Sequence, residues 1–348
     1  MKRRYLLLVL AGWLATVSAA GAFDTIKTVS GTTSGRVISI SPKEVVIEVN
    51  AVNQSVTVNE IVTIFFDDEP SSMRTAKTNL INGAYENALE QLGKTDAAEI
   101  TRPEIQADLV YYKAYCTAQL ALGGSANLGD AVAAMKAFVD SGASSSYHYL
   151  EACETLGDLY VAAGQYALAE EQYAKVARAP FPDCRMRAGV AIGRTRLAQG
   201  KLPEAQKAFE AVLGMEANDD LSRAQRVAAT LGKARCVAAA GQPDAAVKVV
   251  KDIIANADPE DTDLQARAYN TLGAALRKAG NHKEALMAYL HVDLLYHNVP
   301  EAHAEALANL NELWTEFHKT ERAVRCRQLL QERYANSRWA KTAGGDGG

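Results

Sequence analysis

Cysteine is scarce in this chain, with five in 348 residues, at positions 116, 153, 184, 236 and 326. Five is odd, so at least one thiol stays unpaired within the chain, and Cys153 with Cys184 is the pairing left open. There is no CxxC and no Cys/His cluster, which excludes the common structural zinc sites. Most of the cysteines fall on apolar helical positions, where a thiol acts as a small hydrophobe. Long apolar runs are missing beyond the first two dozen residues, so no later segment is expected to span a bilayer. Charge of one sign is missing too. The formal net charge is −4 and the pI near 5.9, which gives no general attraction for nucleic acid or anionic lipid. Charged residues make up 22% and hydrophobic ones 48%, enough for packed cores and against bulk disorder.

Catalytic signatures are also absent. No phosphate-binding GxxxxGK[ST], no GxGxxG after a strand, no GxSxG and no HExxH occurs. Six histidines are scattered; His291, His297 and His303 are six apart, a spacing that does not share a helix face, and they read as solvated helix histidines. Asp67-Asp68-Glu69 offers three carboxylates but reads as a charged linker after a strand. No cofactor, no metal and no enzymatic activity is expected.

What is present begins with a targeting signal. Lys2, Arg3 and Arg4 precede an apolar stretch from Tyr5 to Leu14, and Ala20-Gly21-Ala22 supplies the small residues of a cleavage site before Phe23. Residues 1–22 are therefore expected to be a signal peptide, and the protein periplasmic or extracellular. Removing three positive charges takes the formal charge from −4 to −7.

Residues 24–69 are rich in β-branched side chains that alternate with polar ones, over 35–41, 44–50, 55–59 and 61–66. Ser41-Pro42-Lys43 and the stretch from Asn50 to Asn53 read as turns. Four short strands predict a small all-β domain, similar in strand count to SH3-like or Sm-like barrels. Residues 71–340 carry almost no β signal. Here Leu156-Gly157, Tyr160, Gly164, Tyr166, Ala169 and Tyr173 set a pattern. It returns as Ile192-Gly193, Gly200, Leu202, Ala205 and Phe209, and again as Leu272-Gly273, Gly280, His282, Ala285 and Tyr289. Weaker copies extend it, with alanine landmarks at 88, 131, 169, 205, 246, 285 and 323. Residues 341–348 read as a flexible glycine-rich tail.

The motif resembles the tetratricopeptide repeat. The resemblance implies a mainly α fold, an α-solenoid of about seven helical hairpins behind the small β domain. The steps between landmarks, 36–43 residues, exceed the usual period of about 34. Small Gly157, Gly193 and Gly273 are expected to let helices approach, while Tyr173, Phe209 and Tyr289 fill the space between neighbouring hairpins. The ending from Tyr334 to Ala340 resembles the close of periplasmic repeat proteins that accompany cell-envelope machinery.

Stacked hairpins make a concave face from the first helix of each pair. Carrying the family's ligand-contact positions over residue by residue selects Arg187, Arg194, Arg235, Arg267, Asn270, Arg277 and Lys278. Acidic Glu151, Glu154 and Asp158 fall on one side of them and Glu305, Glu312 and Glu316 on the other. Helices packed about 8–10 Å apart would turn these arginines into a continuous stripe. Guanidinium forks suit carboxylates. The resemblance therefore implies a non-catalytic interaction scaffold that binds a protein or peptide in the groove, an acidic segment or a C-terminal carboxylate. The alternative is a structural subunit or spacer of a cell-envelope assembly.

Overall fold

The computed structural model describes residues 23–141, 145–217 and 219–343; the expected signal peptide and the end of the glycine-rich tail lie outside them. The β segment holds five strands, not four: β1 (Asp24–Thr28), β2 (Thr32–Ile40), β3 (Glu44–Val49), β4 (Val52–Thr57) and β5 (Ile61–Phe65). They form one antiparallel sheet in the order β4-β3-β2-β1-β5. The added strand is β1. Its five residues turn only Asp24 and Ile26 inward, too short an alternation to stand out. β4 also starts earlier than expected, because Val49 pairs with Val52 across a turn of only Asn50 and Ala51. Both turn residues have positive φ, 51° and 62°, the twist that a two-residue hairpin needs. Gly35 is required at its position in β2. A Cβ there would sit 2.3 Å from the Glu48 carbonyl of β3.

Seven helical hairpins follow. The first helices of each pair are α1 (Ser71–Ile81), α3 (Pro103–Leu122), α5 (Tyr149–Ala162), α7 (Pro182–Ala198), α9 (Asp220–Ala239), α11 (Thr262–Lys278) and α13 (Pro300–Glu316). Their partners are α2 (Tyr85–Gly93), α4 (Leu128–Asp140), α6 (Tyr166–Val176), α8 (Leu202–Leu213), α10 (Pro243–Asn256), α12 (His282–Leu295) and α14 (Thr320–Tyr334), and a short α15 (Arg338–Ala343) ends the array. Each landmark alanine is the fourth residue of its second helix, and all seven are buried. A methyl is the largest group this close helix contact accepts. The aromatic four residues on then lies on a glycine of the facing helix. A Cβ at Gly157 would stand 2.4 Å from the Tyr173 ring, at Gly193 2.5 Å from Phe209, and at Gly273 2.6 Å from Tyr289. Each ring therefore packs within its own hairpin. Phe209 also covers Gly232 of the next one, at 2.3 Å, and so joins two hairpins. Six of the turns close on a left-handed glycine, as at Gly164, whose neighbour Gln165 bonds back to the Tyr160 carbonyl. In the seventh hairpin His318 takes that conformation, with φ 55°.

The sheet and the helices share a core that runs unbroken from Ile26 to Ala188. At their junction lies the fully buried ammonium of Lys77. Its Nζ donates to the Ile64 carbonyl at 2.6 Å, to Glu69 Oε2 at 2.6 Å and contacts Asp108 Oδ2 at 2.8 Å. Asp108 in turn meets His148 Nε2 at 3.1 Å and accepts from Tyr147 Oη at 3.3 Å, while Tyr112 and Thr63 share a hydroxyl contact of 2.9 Å. Strand β5, α1, α3 and the approach to α5 are thereby tied at one point. Asp67-Asp68-Glu69 is part of the same fastening. Asp68 pairs with Arg102, which also grips Asp24, and Glu69 is buried against Lys77.

The far end of the array returns to its beginning. Asn336 Nδ2 donates to the Ala126 carbonyl at 2.7 Å, and Lys341 Nζ reaches the Ala162 carbonyl at 3.0 Å. A Cβ on Gly124 would stand 2.6 Å from the Arg333 carbonyl. The second to seventh hairpins thus close into a ring. All five cysteines are buried free thiols, including Cys153 and Cys184. Two histidines depart from the solvated reading. His148 is buried against Tyr111, with ring centroids 3.7 Å apart, and His303 is buried between Asp293 at 2.9 Å and Tyr334 Oη at 2.7 Å.

Two outcomes follow for stability. Lys77→Met strands two buried carboxylates, so urea unfolding should show a loss of about 3–5 kcal/mol, partly recovered by adding Glu69→Gln and Asp108→Asn. Ala51→Gly and His318→Gly each relieve a left-handed L-residue, and each should gain roughly 0.5–1 kcal/mol in the same assay.

Candidate functional site

The first helices of the hairpins line the inside of the ring, and the candidate side chains stand there. Six of the seven candidates are at least half-buried, and Lys278 is exposed. The arginines do not form an open stripe. Arg187 Nε on α7 lies 2.6 Å from Glu154 Oε2 on α5. Arg235 on α9 forms a two-pronged pair with Glu305 on α13. Arg267 on α11 holds Asp263 at 2.9 Å and Glu301 of α13 at 3.1 Å. Arg277 pairs with Glu312 and, at 3.0 Å, with Glu316, which also meets His282 at 2.7 Å. Asn270 donates to the Ala302 carbonyl at 2.8 Å. The bases of one hairpin thus meet the acids of another, because successive helices bring their inner faces within side-chain reach. The expected acidic flanks have folded onto the basic middle and neutralised it.

Arg194 is the exception. Alone among the candidate arginines it makes no ion pair or hydrogen bond with any described residue. Burial and the neighbouring Arg267 guanidinium lower its pKa to about 10, against the opposing pull of Glu301, Asp263 and Asp158. The carboxylates around it divide in two. Burial works to raise Glu301, but Arg267, with Arg338 and Arg194 behind it, holds it down at about 2. Crowding by surrounding protein pushes Asp158 up to about 6, although the residue keeps an exposed surface and Tyr173 Oη donates to it at 2.6 Å. Glu154 rises to about 7, through burial opposed by Arg187 and reinforced by Asp158 and Glu151. The Glu301 side chain is itself 60% accessible, so the Arg267 pair, and not burial, decides the direction of its shift.

Beside this acidic side lies a cavity of about 400 Å³. One wall is β5 and the 3-10 turn that leads into it, through Val58, Asn59, Ile61 and Val62; the other is the inner face of α3, α5 and α7. Asn59 Nδ2 donates to Asp183 Oδ1 at 3.0 Å across the mouth and fixes the sheet over the helices. A second hollow, of about 310 Å³ between α10, α11 and α12, is lined mainly by apolar groups such as Tyr269, Leu272 and Met287, and lies away from the candidate residues. Among the described residues no group of His, Cys, Asp and Glu is arranged to hold a metal ion, and no helix is long and apolar enough to cross a membrane.

Sequence reasoning did not find the contribution of the sheet to this site, nor the His148, Tyr147 and Asp108 cluster behind it. One signal was available. Lys77 follows Met73 and Ala76 on the buried stripe of α1, and a lysine on an apolar stripe calls for buried acids.

For folding, Glu154 and Asp158 bind protons more tightly in the native state than unfolded. Their stabilising contribution is present at low pH and is lost as pH rises through about 6 and 7. Glu301 has the opposite sign, with its contribution lost as pH falls from its ordinary 4.5 toward about 2. The stability margin of the wild type over Glu154→Gln, measured by urea unfolding, should therefore be largest near pH 5 and shrink by pH 8. A margin that grows with pH would contradict the burial of Glu154.

A tetratricopeptide-repeat family model matches residues 190–262. Among solved structures, the apo form of the quorum sensor NprR from B. thuringiensis is 15% identical, with a TM-score of 0.55, over 75% of this chain and 74% of that one. A tetratricopeptide repeat protein from Parabacteroides merdae ATCC 43184 is 14% identical, with a TM-score of 0.49, over 78% of this chain and 97% of its own. The TPR2AB domain of yeast Sti1, in complex with pHSP90, is 17% identical with a TM-score of 0.27, over 78% and 93%. The likeness to NprR is one of fold. No curated protein matches the sequence.

Proposed function

We propose that this protein, a member of the tetratricopeptide-repeat family through its helical array, is an exported, non-catalytic scaffold that holds a peptide or protein segment on the inner face of the ring. The observation that carries the reading is the groove itself. Five consecutive first helices, α5 to α13, present charged side chains to one enclosed surface, and cross-hairpin pairs hold most of them in fixed positions. A preordered surface loses little side-chain freedom when a partner arrives. Arg194, left without a direct partner, is the cation available to a carboxylate of the bound segment. Export is supported by the basic Lys2-Arg3-Arg4 start, the apolar stretch to Leu14 and the small residues before Phe23.

A second reading, a fixed spacer within a cell-envelope assembly, is favoured by the closure of the ring through Asn336 and Lys341. A photo-crosslinking residue placed in the native cell separates the two. At Arg194 or Lys278 it should capture one or a few defined partners, and at the exposed Val249 of α10 it should not. Capture at Val249 alone, in a single large complex, would favour the spacer and overturn the groove.

A further inference from the structure

The cavity between sheet and helices differs in charge from the arginine row. Glu151, Glu154 and Asp158 are spaced three and four residues apart on α5, so they share one face and point into the same space. Arg187 is the one arginine or lysine lining the cavity, and it is engaged with Glu154. Three carboxylates against one guanidinium leave a formal charge of −2. The opposite wall is of another kind, with Val58, Ile61 and Val62 lining it with apolar side chains. An acidic floor under an apolar wall fits an aliphatic stem that ends in a cation.

An observation independent of the acids points the same way. Buried polar atoms without partners are rare in native proteins, and those around this cavity ask for a ligand. The Tyr111 hydroxyl, in a residue 1% exposed, makes no well-formed hydrogen bond; its polar neighbour is Glu151 of the cavity floor, and its ring stacks on the cavity-lining His148. Asn59 Oδ1, on the sheet side, is likewise buried and unpaired. Tyr115 and Tyr147 add aromatic faces of the kind that attract cations. A carboxylate placed here would meet three others.

We propose that the cavity takes a lysine or arginine side chain of the held segment, with its stem against Ile61 and Val62 of the sheet and its head among Glu151, Glu154 and Asp158. The inference rests on the reading of the array as a peptide-holding groove, and it gives the sheet a part in recognition. The bound segment then carries a basic residue at the sheet and a carboxylate within reach of Arg194, which fixes its direction along the groove. A cation entering among these carboxylates favours their charged forms, so near pH 7 it displaces the proton that Glu154 shares with water. Around Glu154 the groups that set this exchange are Arg187, Asp158 and Glu151.

The test is selection of random dodecapeptides displayed on phage against the purified protein and its Glu151→Gln/Glu154→Gln variant. The wild type should enrich lysine or arginine at one position, and the variant should not. Replacing that basic residue by glutamine in a synthetic selected peptide should weaken binding to the wild type by about tenfold or more, and leave the variant unaffected. Calorimetry near pH 7 in phosphate and in Tris should show proton release on binding to the wild type. Should the double variant fail to fold, Glu151→Gln alone, at a half-exposed side chain, serves in its place. Selected peptides without a basic position, or equal weakening in both proteins, would overturn the cation site and leave the scaffold standing. Selection of no peptide at all by the wild type would overturn the scaffold reading, and this inference with it.

Discussion

The ammonium of Lys77 is the point on which the arrangement of this molecule depends. It is fully buried and shared between two carboxylates and a strand carbonyl. A buried cation is tolerated only where its neighbours satisfy it, so Ile64, Glu69 and Asp108 must be brought together for the chain to fold here. Those residues belong to the sheet, the linker and the second hairpin. Their meeting sets the sheet against the inner edge of the array instead of leaving it on a tether. The cavity wall formed by Ile61 and Val62, and the position of Asn59 opposite Asp183, follow from that anchorage.

From this fixed end the array is propagated by a simple geometric rule. An alanine at the fourth position of the second helix admits the first helix closely, and a ring four residues on rests on a bare glycine surface. The rule fixes the packing within a hairpin, and Phe209 carries it to the next one through Gly232. Stacking of like hairpins then brings charged positions of neighbouring first helices within reach of one another. The pairs Arg187 with Glu154, Arg267 with Glu301 and Arg277 with Glu312 are products of that repeat. Arg235 with Glu305 skips a hairpin and draws in the curvature of the whole array.

The hairpins were legible in the sequence because their determinants are local. Gly164, Ala169 and Tyr173 lie within one pair of helices, and their spacing alone predicts the turn, the close contact and the filler. The candidate groove residues were legible as positions but not as charges in context. Arg267 and Glu301 are 34 residues apart, and no local pattern states that they meet. An arginine row read along the chain therefore looked open, and proved to be neutralised across it. The sheet's role was hidden for the same reason: Thr63 meets Tyr112 and Asn59 meets Asp183 across 49 and 124 residues. The burial of His303 was concealed too, since its partners Asp293 and Tyr334 come from different hairpins.

The closing contacts of Asn336, Lys341 and Gly124 carry a consequence for how the molecule comes apart. An open row of repeats behaves as a one-dimensional chain, in which end units fray and loss can begin at either terminus. Joining the last hairpin to the second and third removes one of those free ends. The C-terminal hairpin can then melt only by breaking two unlike interfaces together, one with its sequence neighbour and one across the seam. The curved body becomes a mechanical hoop, in which strain applied at any hairpin is carried around the circumference in both directions and not passed along to a loose end.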